Sequence, residues 1–264
     1  MKLGRSRPER LPKKPKLRLA DYLCTGSALP TPPTAIDYTP EALASLSDVY
    51  LNDQLGDCVI AGFYHCKGLW TGNADGGAPI VVSDDQITAD YSAIGGYQPG
   101  DPSTDQGCDE VTALDYWHAT GDQTGTKIAG YVALDPGDLV ELQLGLWLFG
   151  AHYYGVELPD GWISPFPSSA GFVWDVAGDP NPDNGHCFIA GGYDATGVTI
   201  CTWGMLGKMT WAALAKYCAA TAGGAVYAIL SPDAIAQGQA VAPSGVDWTT
   251  LQADLDALGA WPQP

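Results

Sequence analysis

A cysteine that opens an apolar helical run is the feature that most constrains this chain. Val59, Ile60, Phe63, Cys66 and Trp70 carry apolar side chains at a spacing that predicts a helix over 58–70 rather than a strand. Cys58 then sits at the helix start. Unpaired amide N–H groups and the positive end of the macrodipole favour thiolate there and lower a cysteine pKa from its ordinary value near ~8.5. Just upstream, Asn52-Asp53-Gln54-Leu55-Gly56-Asp57 sets two amide side chains, Asn52 and Gln54, where an N–H could help hold an oxyanion. The competing reading of Cys58 is a buried small hydrophobe.

A second segment supplies a base. Asn184-Gly185-His186-Cys187-Phe188-Ile189-Ala190-Gly191-Gly192-Tyr193 and Gly197-Val198-Thr199-Ile200-Cys201-Thr202-Trp203-Gly204 flank the turn Asp194–Gly197, the pattern of an antiparallel hairpin. Its register brings His186 level with Cys201-Thr202-Trp203. A thiol, an imidazole and a third polar group that orients the imidazole form the general plan of nucleophilic cysteine catalysis.

On these motifs the chain resembles the papain-like cysteine peptidase superfamily, over roughly residues 46–230 and in the same order. Asp48–Gln54 with Gly56-Asp57-Cys58 is similar to the family's amide-glycine-cysteine segment and the central helix after it. Ser83-Asp84-Asp85-Gln86-Ile87 resembles the Ser-Glu-Gln-Glu-Leu stretch. Gly107-Cys108-Asp109-Glu110 with Ala113–Trp117 and Gly121 resembles the Gly-Cys segment and its helix. Ile128–Val132 and Asp138–Gly150 resemble what precedes the β-rich half. His186 falls on the family's histidine and Trp203-Gly204 on its Asn-Ser-Trp-Gly. The resemblance implies an α+β, papain-like two-part domain: a helical half around 48–125 and an antiparallel β-rich half around 126–230. It also implies Cys58 as nucleophile, His186 as base, and Gln54 or Asn52 as oxyanion donor. The sequence departs from the pattern at two places. The family's oxyanion glutamine commonly stands six residues before the cysteine, where this chain has Asn52, while Gln54 stands four before it. The orienting asparagine is replaced by Cys201, or by Thr202 after a one-residue slip. A hydroxyl fixes the imidazole tautomer less firmly than an amide and does not stabilise an imidazolium as a carboxylate does. Leu55 stands where many secreted relatives have a cysteine, so no disulfide to Cys108 is implied.

Charge is divided unevenly along the 264 residues. Eight of the twelve basic residues lie in the first eighteen, beside one acid, which leaves four basic and 29 acidic residues for the rest. Such a body repels phosphates, so nucleic acid is not an expected partner except through the basic arm. The arm, with three prolines and no hydrophobic periodicity, is expected to be disordered when free. It becomes ordered only on a surface: the chain's own acidic body, a neighbouring subunit or nucleic acid. The expectation is protein neighbours in a larger assembly, met through residues 1–20.

The chain divides into a basic arm and Pro-rich lead-in (1–47), the papain-like domain (48–230), and a loop with a C-terminal helix (231–264). Asp247 is that helix's expected N-cap, and Trp248, Leu251, Leu255 and Leu258 form its apolar stripe. Helices are also expected at 83–92, 109–119, 138–149 and 210–219, and strands near 128–133, 151–157, 186–193, 197–202 and 225–230. Seven cysteines, an odd number without a CxxC pair, argue against a secreted disulfide framework. No apolar h-region follows the N-terminal charges, and no run of eighteen apolar residues occurs. This predicts no signal peptide, no membrane partner and synthesis in the cytoplasm. Asp179–Asn184 begins like a calcium loop but has Asn184 at its sixth position and Ala190 at its twelfth. The pairs His65-Cys66 and His186-Cys187 lack zinc-ligand spacing. No cofactor or metal is therefore expected. Two function classes follow. One is a cysteine hydrolase acting on a peptide or a peptidoglycan bridge through Cys58 and His186. The other is a silent papain-like fold serving as a structural or decoration protein of a phage virion.

Overall fold

The computed structural model describes residues 1–6, 17–24 and 29–259. The predicted central helix is present as Cys58–Asn73. In chain order the elements are β1 (Ile36–Asp37), α1 (Leu43–Leu46), α2 (Cys58–Asn73), α3 (Asp84–Gly95), α4 (Glu110–Ala119), β2 (Gly130–Ala133), α5 (Leu139–Phe149), β3 (His152–Glu157), α6 (Asp160–Ile163), β4 (Phe172–Trp174), β5 (Gly185–Tyr193), β6 (Gly197–Thr202), β7 (Met205–Thr210), α7 (Trp211–Tyr217), β8 (Ala225–Leu230), α8 (Pro232–Val241) and α9 (Trp248–Gly259). Local chemistry explains the helix starts. Ser83 and Gln86 form a reciprocal capping box on α3, and Asp109, Asp138, Thr210 and Ser231 accept N–H groups at the starts of α4, α5, α7 and α8.

The strands form one sheet in the order β2-β8-β3-β5-β6-β7-β4, with β1 added on β5. Every pairing is antiparallel except β4 with β7. The two-residue period of a strand sends alternate side chains to two separate cores. Tyr153, Cys187, Ile189, Cys201, Tyr227 and Ile229 face the core shared with α2 and α4, while Tyr154, Phe188, Ala190, Ile200, Val226 and Ala228 face the core shared with α5 and α7. The sheet is thus covered on both faces, and α2 lies directly against β5. Gly62 permits that approach, because a Cβ there would stand 3.2 Å from the Tyr153 ring. The Tyr153 hydroxyl donates to the Val59 carbonyl at 2.6 Å and fixes α2 along its axis.

The α+β architecture agrees with the expected one, and the differences have local causes. Residues 232–241 are helical where a loop was expected, because Ser231 caps a short helix of small residues whose Ala234 and Gly238 are buried. Strands β4 and β7 were not anticipated: β7 carries Gly207 and Lys208 in place of an alternating apolar pattern, and forms as the return arm of a hairpin with β6. The C-terminal stripe packs on the chain's own domain, with Leu251, Leu255 and Leu258 buried and the Trp248 ring against Phe149. All seven cysteines are free thiols. Among the described residues no helix is long and apolar enough to cross a membrane, and no cluster of three His, Cys, Asp or Glu is arranged to hold a metal ion. The expectation of a disordered arm falls mostly on residues 7–16, outside the described residues, whereas residues 1–6 lie against the chain's own body.

Candidate active site

The loop before α2 is tightly held. Tyr50 and Leu51 adopt left-handed backbone (φ 49° and 65°), and the Asp48 carboxylate accepts the Tyr50 N–H at 2.9 Å. Asn52, 2% exposed, donates from Nδ2 to the Leu55 carbonyl and to Asp57 Oδ1, both at 3.1 Å. Its amide is therefore a clasp on the loop. Gln54 stands exposed on the same loop, with its side chain free of the clasp. Cys58 opens α2, so its own N–H is one of the four that a helix leaves without an internal partner.

Cys58 is 1% exposed. Burial pushes its pKa up to about 12, and the N–H groups of Cys187 and Gly4, which point at the sulfur, pull it part of the way back. Asp57 beside it is fully buried, and desolvation raises its pKa well above the usual carboxylate range despite the Asn52 hydrogen bond. The Cys187 N–H sets the position of the sulfur relative to β5: the thiol abuts the strand one residue from His186.

His186 is fully buried, and its Nε2 lies 2.7 Å from the Thr202 hydroxyl on the neighbouring strand. Its ring stacks on Trp203 at 4.4 Å with 19° between planes, and Trp203 holds a left-handed backbone at φ 50°. Nδ1 has no hydrogen-bond partner. Burial alone lowers the imidazole pKa to about 3. Strand alternation separates the two neighbours: Thr202 shares the His186 face of the sheet, whereas Cys201 points to the opposite core. There its thiol donates to the Leu46 carbonyl at 3.2 Å, and it lies 4.0 Å from His65 Nδ1. Cys201 is thus separated from His186, and His65 is committed to the Asp48 carbonyl at 3.0 Å.

A strip of the chain itself lies against Cys58 and against Trp203, on which the His186 ring stacks. Residues 2–6 run between the loop before α2 and the segment 107–110. Lys2 N–H donates to the Asn52 carbonyl at 2.9 Å, and the Trp203 indole donates to the Lys2 carbonyl at 3.0 Å. Cys108 N–H donates to the Gly4 carbonyl at 2.9 Å, Ser6 N–H to the Cys108 carbonyl at 2.9 Å, and Arg5 N–H to the Gly185 carbonyl at 3.1 Å. The strip pairs in parallel with Cys108. Its Gly4 has no room for a side chain, since a Cβ would stand 1.7 Å from the Gly56 carbonyl oxygen. Arg5, 8% exposed at its side chain, meets the 1%-exposed Glu110 carboxylate.

No family model and no curated protein matches the chain in sequence. In three dimensions it is similar to xylellain, a cysteine protease from Xylella fastidiosa: TM-score 0.58 at 13% identity, covering 87% of this chain and 97% of that one. The chain has the papain-like fold. A second papain-like neighbour comes from work on the mite allergens Blo t 1 and Der p 1, with a TM-score of 0.57 at 12% identity over 82% of this chain and 74% of that one. A third is digestive procathepsin L 3 of the Tenebrio molitor larval midgut, at TM-score 0.52 and 14% identity over 81% and 76%. Within this papain-like fold Cys58 opens α2, and His186 meets the Thr202 hydroxyl across β5 and β6, the placement that the sequence reading gives them. Arg5, Glu110 and the track over the thiol are absent from that reading, because Arg5 and Glu110 stand 105 apart in sequence and the track likewise joins remote segments that no local spacing announces.

A raised thiol pKa means the neutral thiol prevails at neutral pH and thiolate appears only as pH climbs toward about 12. Alkylation of Cys58 in the unaltered chain is therefore expected to accelerate about tenfold per pH unit between pH 7 and 10, followed by intact mass and peptide mapping. A plateau within that range would contradict the buried, neutral thiol.

Proposed function

We propose that the chain is a papain-like cysteine hydrolase of peptide amide bonds, held latent by its own residues 2–6. Cys58 is the nucleophile and His186 the base, then the acid. The observation that carries this reading is the division of labour on His186: Nε2 is held by Thr202 while Nδ1 is left unpartnered, one residue from the N–H that faces the Cys58 sulfur. With the cleft open, Nδ1 takes the thiol proton and sulfur attacks the carbonyl carbon. The oxyanion meets the Cys58 N–H and the Gln54 amide. As the C–N bond breaks, the proton passes from His186 to the leaving amine. Water, deprotonated by the same imidazole, then hydrolyses the thioester and restores the thiol. Asn52 serves the loop rather than the oxyanion. The substrate is a protein or a peptidoglycan peptide bridge.

A second reading, a silent structural part of an assembly such as a virion, is favoured by the complete burial of both Cys58 and His186 in neutral forms. Peptide turnover by a full-length chain whose strip is displaced, such as Gly4→Val, separates the two. The hydrolase reading expects turnover that is lost in Cys58→Ala and reduced by about one order of magnitude or more when Thr202→Ala removes the imidazole's orienting partner. Turnover that persists in Cys58→Ala, or none above background in a folded Gly4→Val chain, would favour the silent fold.

A further inference from the structure

Glu110 stands in the first turn of α4 with its side chain 1% exposed. Among the described residues, the hydrogen bonds to its carboxylate come from Arg5 alone, whose Nε lies 2.8 and 2.7 Å from the two oxygens. Nη1 of the same guanidinium donates to the Gly223 carbonyl at 2.8 Å. Gly223 lies in a left-handed turn (φ 74°) just before β8. The space exists because β3 has glycine at 155. A Cβ there would stand 1.7 Å from Glu110 Oε1 and 2.5 Å from Arg5 Nε. Carboxylate, carbonyl and gap come from three separate elements and together match a planar, forked cation better than a compact ammonium. Beside the pocket, the Gly185 carbonyl and both polar groups of Cys108 are bonded to the strip's backbone, as an extended peptide of any sequence could bond them.

The strip itself is not placed for attack. Gly4 turns its N–H toward the Cys58 sulfur and gives its carbonyl to Cys108. A peptide running the other way exchanges N–H for C=O along the same track. It would then bring a carbonyl carbon to the sulfur while its neighbouring side chain enters the Glu110 pocket.

We propose that the Glu110–Gly223–Gly155 pocket is a specificity subsite for arginine, and that the substrate is a peptide with arginine immediately before the residue whose carbonyl is attacked. The assignment rests on the hydrolase reading, but the pocket can be tested without turnover. Binding is measured by fluorescence polarisation on the full-length chain carrying Gly4→Val, Arg5→Ala and Cys58→Ala, using labelled peptides Ser-Xaa-Gly-Leu with Xaa as arginine, citrulline, lysine or leucine. The arginine peptide is expected to bind at least about tenfold more tightly than its neutral isostere citrulline, and Glu110→Gln in the same background is expected to erase that difference. Equal binding of arginine and citrulline overturns the subsite. So does a preference that survives Glu110→Gln. A preference found only for the opposite order, Leu-Gly-Arg-Ser, also overturns it, since the pocket would then serve only to dock the strip. Failure of peptide turnover with the arginine preference intact would count against the hydrolase reading and leave the pocket standing.

Discussion

Replacing Gly4 with valine is expected to speed alkylation of Cys58 by about a hundredfold or more at neutral pH, because the thiolate fraction is what reacts. The argument is steric first and electrostatic second. No side chain fits at position 4, where a Cβ would stand 1.7 Å from the Gly56 carbonyl oxygen, and that carbonyl belongs to the clasped loop. The strip must therefore lift. Once it lifts, water reaches a thiol whose pKa of about 12 is caused chiefly by burial, and the imidazole held down to about 3 by the same burial regains its basicity. Both changes favour the thiolate–imidazolium pair. The substitution lies in the strip and leaves every residue of the body unchanged, so a gain reports access and not redesign. The measurement is intact-mass kinetics with a substoichiometric epoxide, with Cys58→Ala as the blank and His186→Ala as the test of coupling. An unchanged rate in a folded Gly4→Val chain would mean that residues 2–6 do not govern the thiol.

The largest stability effect is expected at Arg5, where alanine should cost about 3 kcal/mol by leaving a buried carboxylate without its partner. Burial by itself would lower the guanidinium pKa, yet the adjacent Glu110 carboxylate reverses this and the net shift is upward, so Arg5 is firmly charged. The pair is asymmetric in a way that can be measured. Arg5 belongs to a strip that can carry it into water, whereas Glu110 is anchored in the first turn of α4 with Gly155 packed against it. Glu110→Gln is therefore expected to cost less than Arg5→Ala, and the double variant should recover at least half of the Arg5→Ala loss, a non-additivity typical of contacting groups. Denaturant midpoints at constant slope give these values. An Arg5→Ala chain within about 0.5 kcal/mol of the unaltered one, the usual range for a plain surface change, would show that the pair contributes no more than an exposed ion pair.

These two expectations rest on contacts of a kind that sequence does not announce, and the contrast with what it did announce is physical. Helix periodicity is local. The apolar spacing over 58–70 and the capping pair Ser83–Gln86 put α2 and α3 in place, and the Asp194–Gly197 turn made the β5–β6 hairpin and its register readable. Through that register His186 and Thr202 were already neighbours on paper. The choice between Cys201 and Thr202 needed the sheet, because only two packed faces tell which of two consecutive side chains looks toward the imidazole. Asn52 and Gln54 were likewise separated by burial. Asn52 is closed on Leu55 and Asp57, and Gln54 is exposed.

By itself, then, the sequence determined what short-range pattern can encode: the α+β element order, a cysteine at a helix start, and a histidine on a hairpin. Tertiary structure alone decided what residues 2–6 meet. Arg5 reaches Glu110, and Gly4 closes over Cys58, because a groove lined by Gly56, Gly107, Gly155 and Gly185 admits a backbone there. Such a groove is assembled from segments far apart in the chain, and its missing side chains leave no periodic trace in the sequence.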